Sequence, residues 1–209
     1  SAQKGGASLD TVGDDAPTRD FIRAVDWDVL GGILVQDAGR KKPLDAFARE
    51  TLFRILNSQT YLGQPPAFTL MSMCFDPDWD RVRVLKLGHP DLVKAFGRKR
   101  VSLDDLGGPV YEQLWNSVDR LGREAKLPRD RAILDLARRG TQLQDMLQTL
   151  KVLPSPRNPE APWIWMGEPG AAAANVPAFN AFVDMDNAYI KRDADAFTAA
   201  AKAWASACM

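Results

Sequence analysis

Between Ile33 and Ile55 the hydrophobic period changes once, and that change leaves few local structures open to the chain. Ile33-Leu34-Val35 is a compact apolar run suited to a buried strand. Asp37-Ala38-Gly39 is a turn signal, because glycine takes positive φ without steric cost. Arg40, Lys41 and Lys42 follow, and Pro43 prevents helix before about Leu44. From Leu44 onward, Leu44, Phe47, Ala48, Thr51, Leu52 and Ile55 fall on one face of an amphipathic helix. Glu50 and Arg54 stand i, i+4 in the favourable order on its polar side.

The rest of the chain reads mostly as helix. Residues 18–25 carry Phe21, Ile22 and Val25 at helical spacing, and Gly31-Gly32 breaks that region. Residues 65–75 are apolar and Met-rich, predicting a helix stopped at Asp76-Pro77. Residues 82–87 alternate apolar with basic, as in a half-exposed strand. Pro90 opens a short helix through Phe96, with Gly97 as its C-terminal stop. Residues 101–106 read as extended.

Two longer helices follow, one lined by Val110, Leu114, Val118 and Leu121, the other by residues from Ile133 to Leu150 and interrupted by Gly140. Residues 152–177 are rich in Pro, Gly and Ala and read as a long loop. A helical hairpin ends the chain: Phe179 to Ile190, Asp193 as a cap, then Phe197, Ala201 and Trp204. The expected fold is mainly α with a small β component (α+β), with short strands near residues 33–36, 82–87 and 101–104. A disordered lead-in over 1–17 precedes a single mostly helical domain over 18–209.

Twenty-seven Lys and Arg balance 27 Asp and Glu, so the total charge points neither to nucleic acid nor to an acidic membrane surface. Two cysteines, Cys74 and Cys208, make neither a disulfide framework nor a Cys-x-x-Cys-His haem-attachment motif. With one histidine, His89, the chain lacks the ligand cluster a zinc site needs, and no metal site is expected. The chain opens with Ser1 rather than Met, which suggests a processed or excised segment, and the lack of a membrane-spanning run within it does not show that its parent lacks one.

Several residues invite a functional reading beside a plainer one. Arg40, Lys41 and Lys42 beside a glycine turn suit a carboxylate, a phosphate or a haem propionate; the plainer reading is a solvated turn. His89 suits an axial haem ligand or general base, but before Pro90 it fits a backbone hydrogen bond at a helix entry better. Trp163 and Trp165, alternating as on a strand, suit a flat ligand or a partner surface, or equally the pinning of a long loop. Asp76, Asp78 and Asp80 lack the Gly and distal Glu of a calcium loop and read as a helix stop. Cys74 sits in the apolar TLMSMCF run as an inert thiol. No Gly-x-Ser-x-Gly elbow is present, and no catalytic residue is assigned.

The stretch from Val35 through Glu50, VQDAGRKKPLDAFARE, resembles the VQ-x-GGR-x-KPLD-T-x-ARE signature of the system II cytochrome c biogenesis proteins. Ala38 stands where that signature has its first Gly, and Ala46 where it has Thr. Phe75-Asp76-Pro77-Asp78-Trp79 with residues 82–87, residues 101–106, and residues 143–154 with Trp163 are similar to later segments of that family in the same order, covering roughly residues 27–204.

The resemblance implies a non-catalytic, membrane-anchored domain on the periplasmic side that scaffolds haem delivery or receives apocytochrome. Its partners would be other cytochrome c assembly subunits or apocytochrome c. No cofactor is implied in this chain, since the family's Trp-rich haem motif and transmembrane histidines are absent, leaving haem to the parent protein. Arg40, Lys41, Lys42, Trp163 and Trp165 are then the contact candidates. The alternative is a helical protein-interaction module unrelated to haem, and an enzyme of unrecognised, carboxylate-based type is a third possibility.

Overall fold

The computed structural model describes residues 14–37, 39–119, 127–149, 151–153, 163–165 and 168–208. The fold is mainly α with a small β part, as the periodicity predicts. The chain gathers into two compact units, one built from Arg54–Asn57 and Pro77–Gln144, the other from Gly13–Phe53, Ser58–Asp76 and Asp145–Met209. The first holds 15 Lys and Arg against 10 Asp and Glu, the second 11 against 16. They are called here the basic and the acidic unit.

The core of the acidic unit is aromatic. Helix α1 (Ala16–Ala24) starts where the Asp15 carboxylate accepts the Thr18 amide at 2.9 Å. Helix therefore begins inside the expected lead-in over 1–17, whose first thirteen residues lie outside the described residues. Helix α2 (Trp27–Gly31), capped by Asp26, was not legible in the periodicity, and Gly31 lies within it rather than breaking it. Phe21 meets Phe197, Trp27 meets Phe68 and Phe182 meets Trp204, each at 5.4 Å between ring centroids and near edge-to-face. These rings come from α1, α2, α4 (Pro66–Phe75), α10 (Val176–Lys191) and α11 (Ala194–Cys208). Asp193 caps α11 by accepting the Ala196 amide at 2.9 Å.

Strands β1 (Leu34–Asp37) and β2 (Arg40–Pro43) pair antiparallel, with Val35 opposite Lys42 and Asp37 opposite Arg40. Gly39 closes the hairpin at φ +78°. The three bases thus lie in a strand and not in the turn itself. Helix α3 (Leu44–Leu56) starts directly after Pro43, and the Leu44 amide donates to Ile33 O at 2.7 Å. Leu44, Ala48, Leu52 and Ile55 are fully buried, as the spacing requires.

The long loop expected over 152–177 contains regular structure. β5 (Lys151–Leu153) pairs with β6 (Ile164–Trp165), α9 (Ala171–Ala174) follows, and α10 begins at Val176. Residues 154–162 and 166–167 of that stretch lie outside the described residues. Pro177 near the start of α10 does not break it, since proline's fixed φ suits a first turn and Asn175 accepts the Ala178 amide at 3.2 Å.

In the basic unit a 3-10 turn (Pro77–Arg81) leads to β3 (Leu85–Lys86), α5 (Pro90–Phe96), β4 (Arg100–Val101), α6 (Leu103–Leu106), α7 (Pro109–Asp119) and α8 (Pro128–Thr149), whose last turn belongs to the acidic unit. The strand expected over 82–87 shrinks to Leu85–Lys86, and that over 101–104 becomes Arg100–Val101 followed by helix. The reason is a capping box. Ser102 Oγ accepts the Asp105 amide at 3.2 Å, and the Asp105 carboxylate accepts the Ser102 amide at 3.0 Å. Gly97, at φ +65°, ends α5 as predicted. Gly140 lets α8 approach α6, because a Cβ there would stand 2.6 Å from Leu106 Cδ1. Leu85, Leu92, Val101, Ile133 and Leu143 fill this core.

Candidate functional site

The β1–β2 hairpin sorts its three bases by their neighbours. Lys42 Nζ donates to the Asp37 carboxylate at 2.9 Å and to the Glu50 carboxylate, on α3, at 2.7 Å. These hydrogen bonds, Glu50's first and Asp37's second, raise the Lys42 pKa above 10.5. The ammonium is a clamp between hairpin and helix, and its charge is already spent on two carboxylates. Arg40 and Lys41 are exposed and make no ion pair among the described residues. Of the three candidate bases, these two alone are placed to meet an anion.

Trp163 and Trp165 part company in the same way. Trp163 is 2% exposed, and its amide donates to Gln36 Oε1 on β1 at 2.8 Å. With β5 beside β1, Trp163 is in place to hold its segment down and has no surface to offer a partner. Trp165 is half-buried on β6. The hairpin and Trp163 are thereby brought together, a contact that passes through Gln36.

His89 is the N-cap of α5, where its Nδ1 accepts the Asp91 amide at 3.2 Å. Asp78 pairs with Arg81 at 3.0 Å, and Asp76 ends α4. Among the described residues no three His, Cys, Asp or Glu side chains stand close enough together to hold a metal ion. Cys74 and Cys208 are both free, and burial pushes each thiol pKa up to about 12, so neither is an activated nucleophile.

Three features escaped the sequence reading. Gln36, Asp37 and Glu50 position the candidate residues, and no periodicity distinguishes them from ordinary polar positions. A polar link joins the first helix to the C-terminal end of α10: Arg192 Nε donates to Thr18 Oγ1 at 3.2 Å, and the guanidinium lies 4.3 Å from the Tyr189 ring centroid. The third had a readable signal. Gly97-Arg98-Lys99-Arg100 repeats Gly39-Arg40-Lys41-Lys42: each glycine has positive φ, each basic run enters a short strand, and each leads to a helix starting at Leu-Asp. No helix among the described residues is long and apolar enough to cross a membrane. No family model, curated protein or solved structure matches the chain.

Proposed function

We propose that the chain is a non-catalytic, extracytoplasmic domain of a cytochrome c assembly protein, anchored to the membrane through segments outside it. It scaffolds haem delivery or apocytochrome reception, with other assembly subunits or apocytochrome c as partners. The reading is carried by one observation: the stretch resembling that family's signature, Val35 to Glu50, is a closed local structure in which Lys42 joins Asp37 to Glu50. A sequence signature with a structural cause of this kind supports a shared local architecture. Arg40 and Lys41 project from it and take the role of contact with an anionic group.

The test is made in the full-length parent by replacing Arg40, Lys41 and Lys42 with Ala and measuring covalent haem attachment to a reporter cytochrome. Attachment is expected to fall at normal protein levels. Arg40→Ala/Lys41→Ala, which leaves the Lys42 clamp intact, separates contact from folding. Unchanged attachment in the double variant removes the role given to these two bases.

A second reading, a helical interaction module unrelated to haem, is favoured by one feature of α10. Val176, Val183 and Ile190 recur every seven residues and are 52%, 38% and 64% exposed. Such spacing lines one side of a helix and suits a partner helix. Under this reading Val183→Asp/Ile190→Asp abolishes association with a partner protein while leaving haem attachment by the parent unchanged, and Arg40→Ala/Lys41→Ala alters neither.

A further inference from the structure

The β3–β4 ladder of the basic unit places like charges face to face. Leu85 pairs with Val101 and Lys86 with Arg100. Leu85 and Val101 are fully buried, so the alternation of a strand turns Lys86 and Arg100 together to the opposite, exposed face. Directly opposed residues of an antiparallel pair hold their Cβ atoms about 5 Å apart, and like charges there are destabilising. Lys99, also exposed, precedes Arg100 in the turn after Gly97.

Two carboxylates of the unit are taken by other arginines. Asp105 pairs with Arg98 at 3.3 Å, and Asp135 with Arg138 at 2.7 Å and Arg139 at 2.8 Å. Arg139, 7% exposed, also donates to the carbonyl of Lys86 at 2.7 Å, fixing β3 from below. Lys86, Lys99 and Arg100 make no ion pair among the described residues. The unit around them carries an excess of five positive charges that the chain's zero total conceals.

We propose that this ladder is a docking face for anionic phospholipid headgroups. An opposed, unpaired Lys–Arg pair is stabilised by a phosphate that bridges it, and an exposed pair of this kind meets phosphates arrayed on a surface. Three cations are too few to sustain nucleic-acid binding alone, which typically draws on about 6–10 phosphate contacts. At an anionic bilayer each Lys or Arg near the surface raises partitioning about fivefold, enough to orient a domain already held beside a membrane. The choice of lipid rests on the proposal that the parent is membrane-anchored.

The chain itself is tested by co-sedimentation with phosphatidylglycerol vesicles at low ionic strength, with phosphatidylcholine vesicles, inorganic phosphate and single-stranded DNA in parallel. Binding is expected to phosphatidylglycerol alone and to be lost in 0.5 M salt, roughly the range where the screening length falls below 5 Å. Lys86→Glu is the decisive variant, because it turns the repulsive pair into an attractive one. It is expected to raise the thermal midpoint by about 1–3 °C while weakening vesicle binding at least tenfold. Lys99→Glu is expected to weaken binding about as much without that rise. Equal binding to phosphatidylcholine, tighter binding to DNA, saturation by free phosphate, or full binding by both variants overturns the proposal. None of these outcomes depends on haem attachment, so the face and the assembly role fail separately.

Discussion

Lys42 shows how much a single side chain decides in this fold. Its side chain is half-buried, and its ammonium holds two carboxylates from different elements. Lys42→Met leaves Asp37 and Glu50 without that partner and is expected to cost about 0.5–1.5 kcal/mol by urea denaturation, the lower end reflecting Glu50's exposure. Its pH dependence has a definite sign. The folded pKa lies above 10.5, so the contribution is complete below that value and is lost as pH rises beyond it.

Tyr189 adds to the same alkaline limit. Burial, opposed by Arg192, pushes its hydroxyl up to about 12, so folding favours the neutral phenol. The stability this confers is present below pH 10 and is lost as pH climbs from 10 towards 12. Tyr189→Phe cannot ionise. Its denaturation midpoint is expected to fall less between pH 9 and 11.5 than that of the unaltered chain, and an equal fall would exclude Tyr189 as a source of the alkaline loss.

At the scale of elements, local chemistry settles boundaries that hydrophobic pattern leaves open. Ser102 turns the chain from strand to helix by capping α6, against the apolar alternation that reads as extended. Ser102→Ala is expected to lose about 1 kcal/mol, visible as a lower denaturation midpoint. Gly97→Ala is expected to cost about 1–2 kcal/mol, because its φ of +65° is strained for any residue with a Cβ even though open space surrounds it. Hydrogen exchange of the α5–β4 turn would show the local loosening.

The elements predicted correctly share a property: their signals lie within one element. The α3 face, the Asp193 cap of α11 and the Gly97 stop are each written in neighbouring residues. The elements missed or misjudged, α2, α6 and the β5–β6 pair, are short. A five-residue helix shows too little of a period to be distinguished, and Lys151–Leu153 pairs with a strand more than ten residues further on.

At the scale of the molecule, two cores of different character share one chain. The acidic unit depends on interlocked rings, among them Phe197, which is 1% exposed and contacts both Phe21 and Trp27. Phe197→Ala is expected to remove about 3–5 kcal/mol and much of the near-ultraviolet circular dichroism. A loss below about 1 kcal/mol would mean that the ring cluster is not the source of the unit's stability.

The candidate site was legible only in part, for a physical reason. Periodicity, turn glycines and prolines are read from residues a few places apart, and by themselves they determined a strand, a basic run and a helix between Leu34 and Leu56. Tertiary structure alone decided which charges are spent. It brought Glu50 to Lys42, Gln36 to the amide of Trp163, and Lys86 opposite Arg100. A basic side chain is the same letter whether a carboxylate neutralises it or not, and burial turns a tryptophan from a contact into an anchor. Pairing and burial are properties of the packed chain, set by partners as far as 174 residues away.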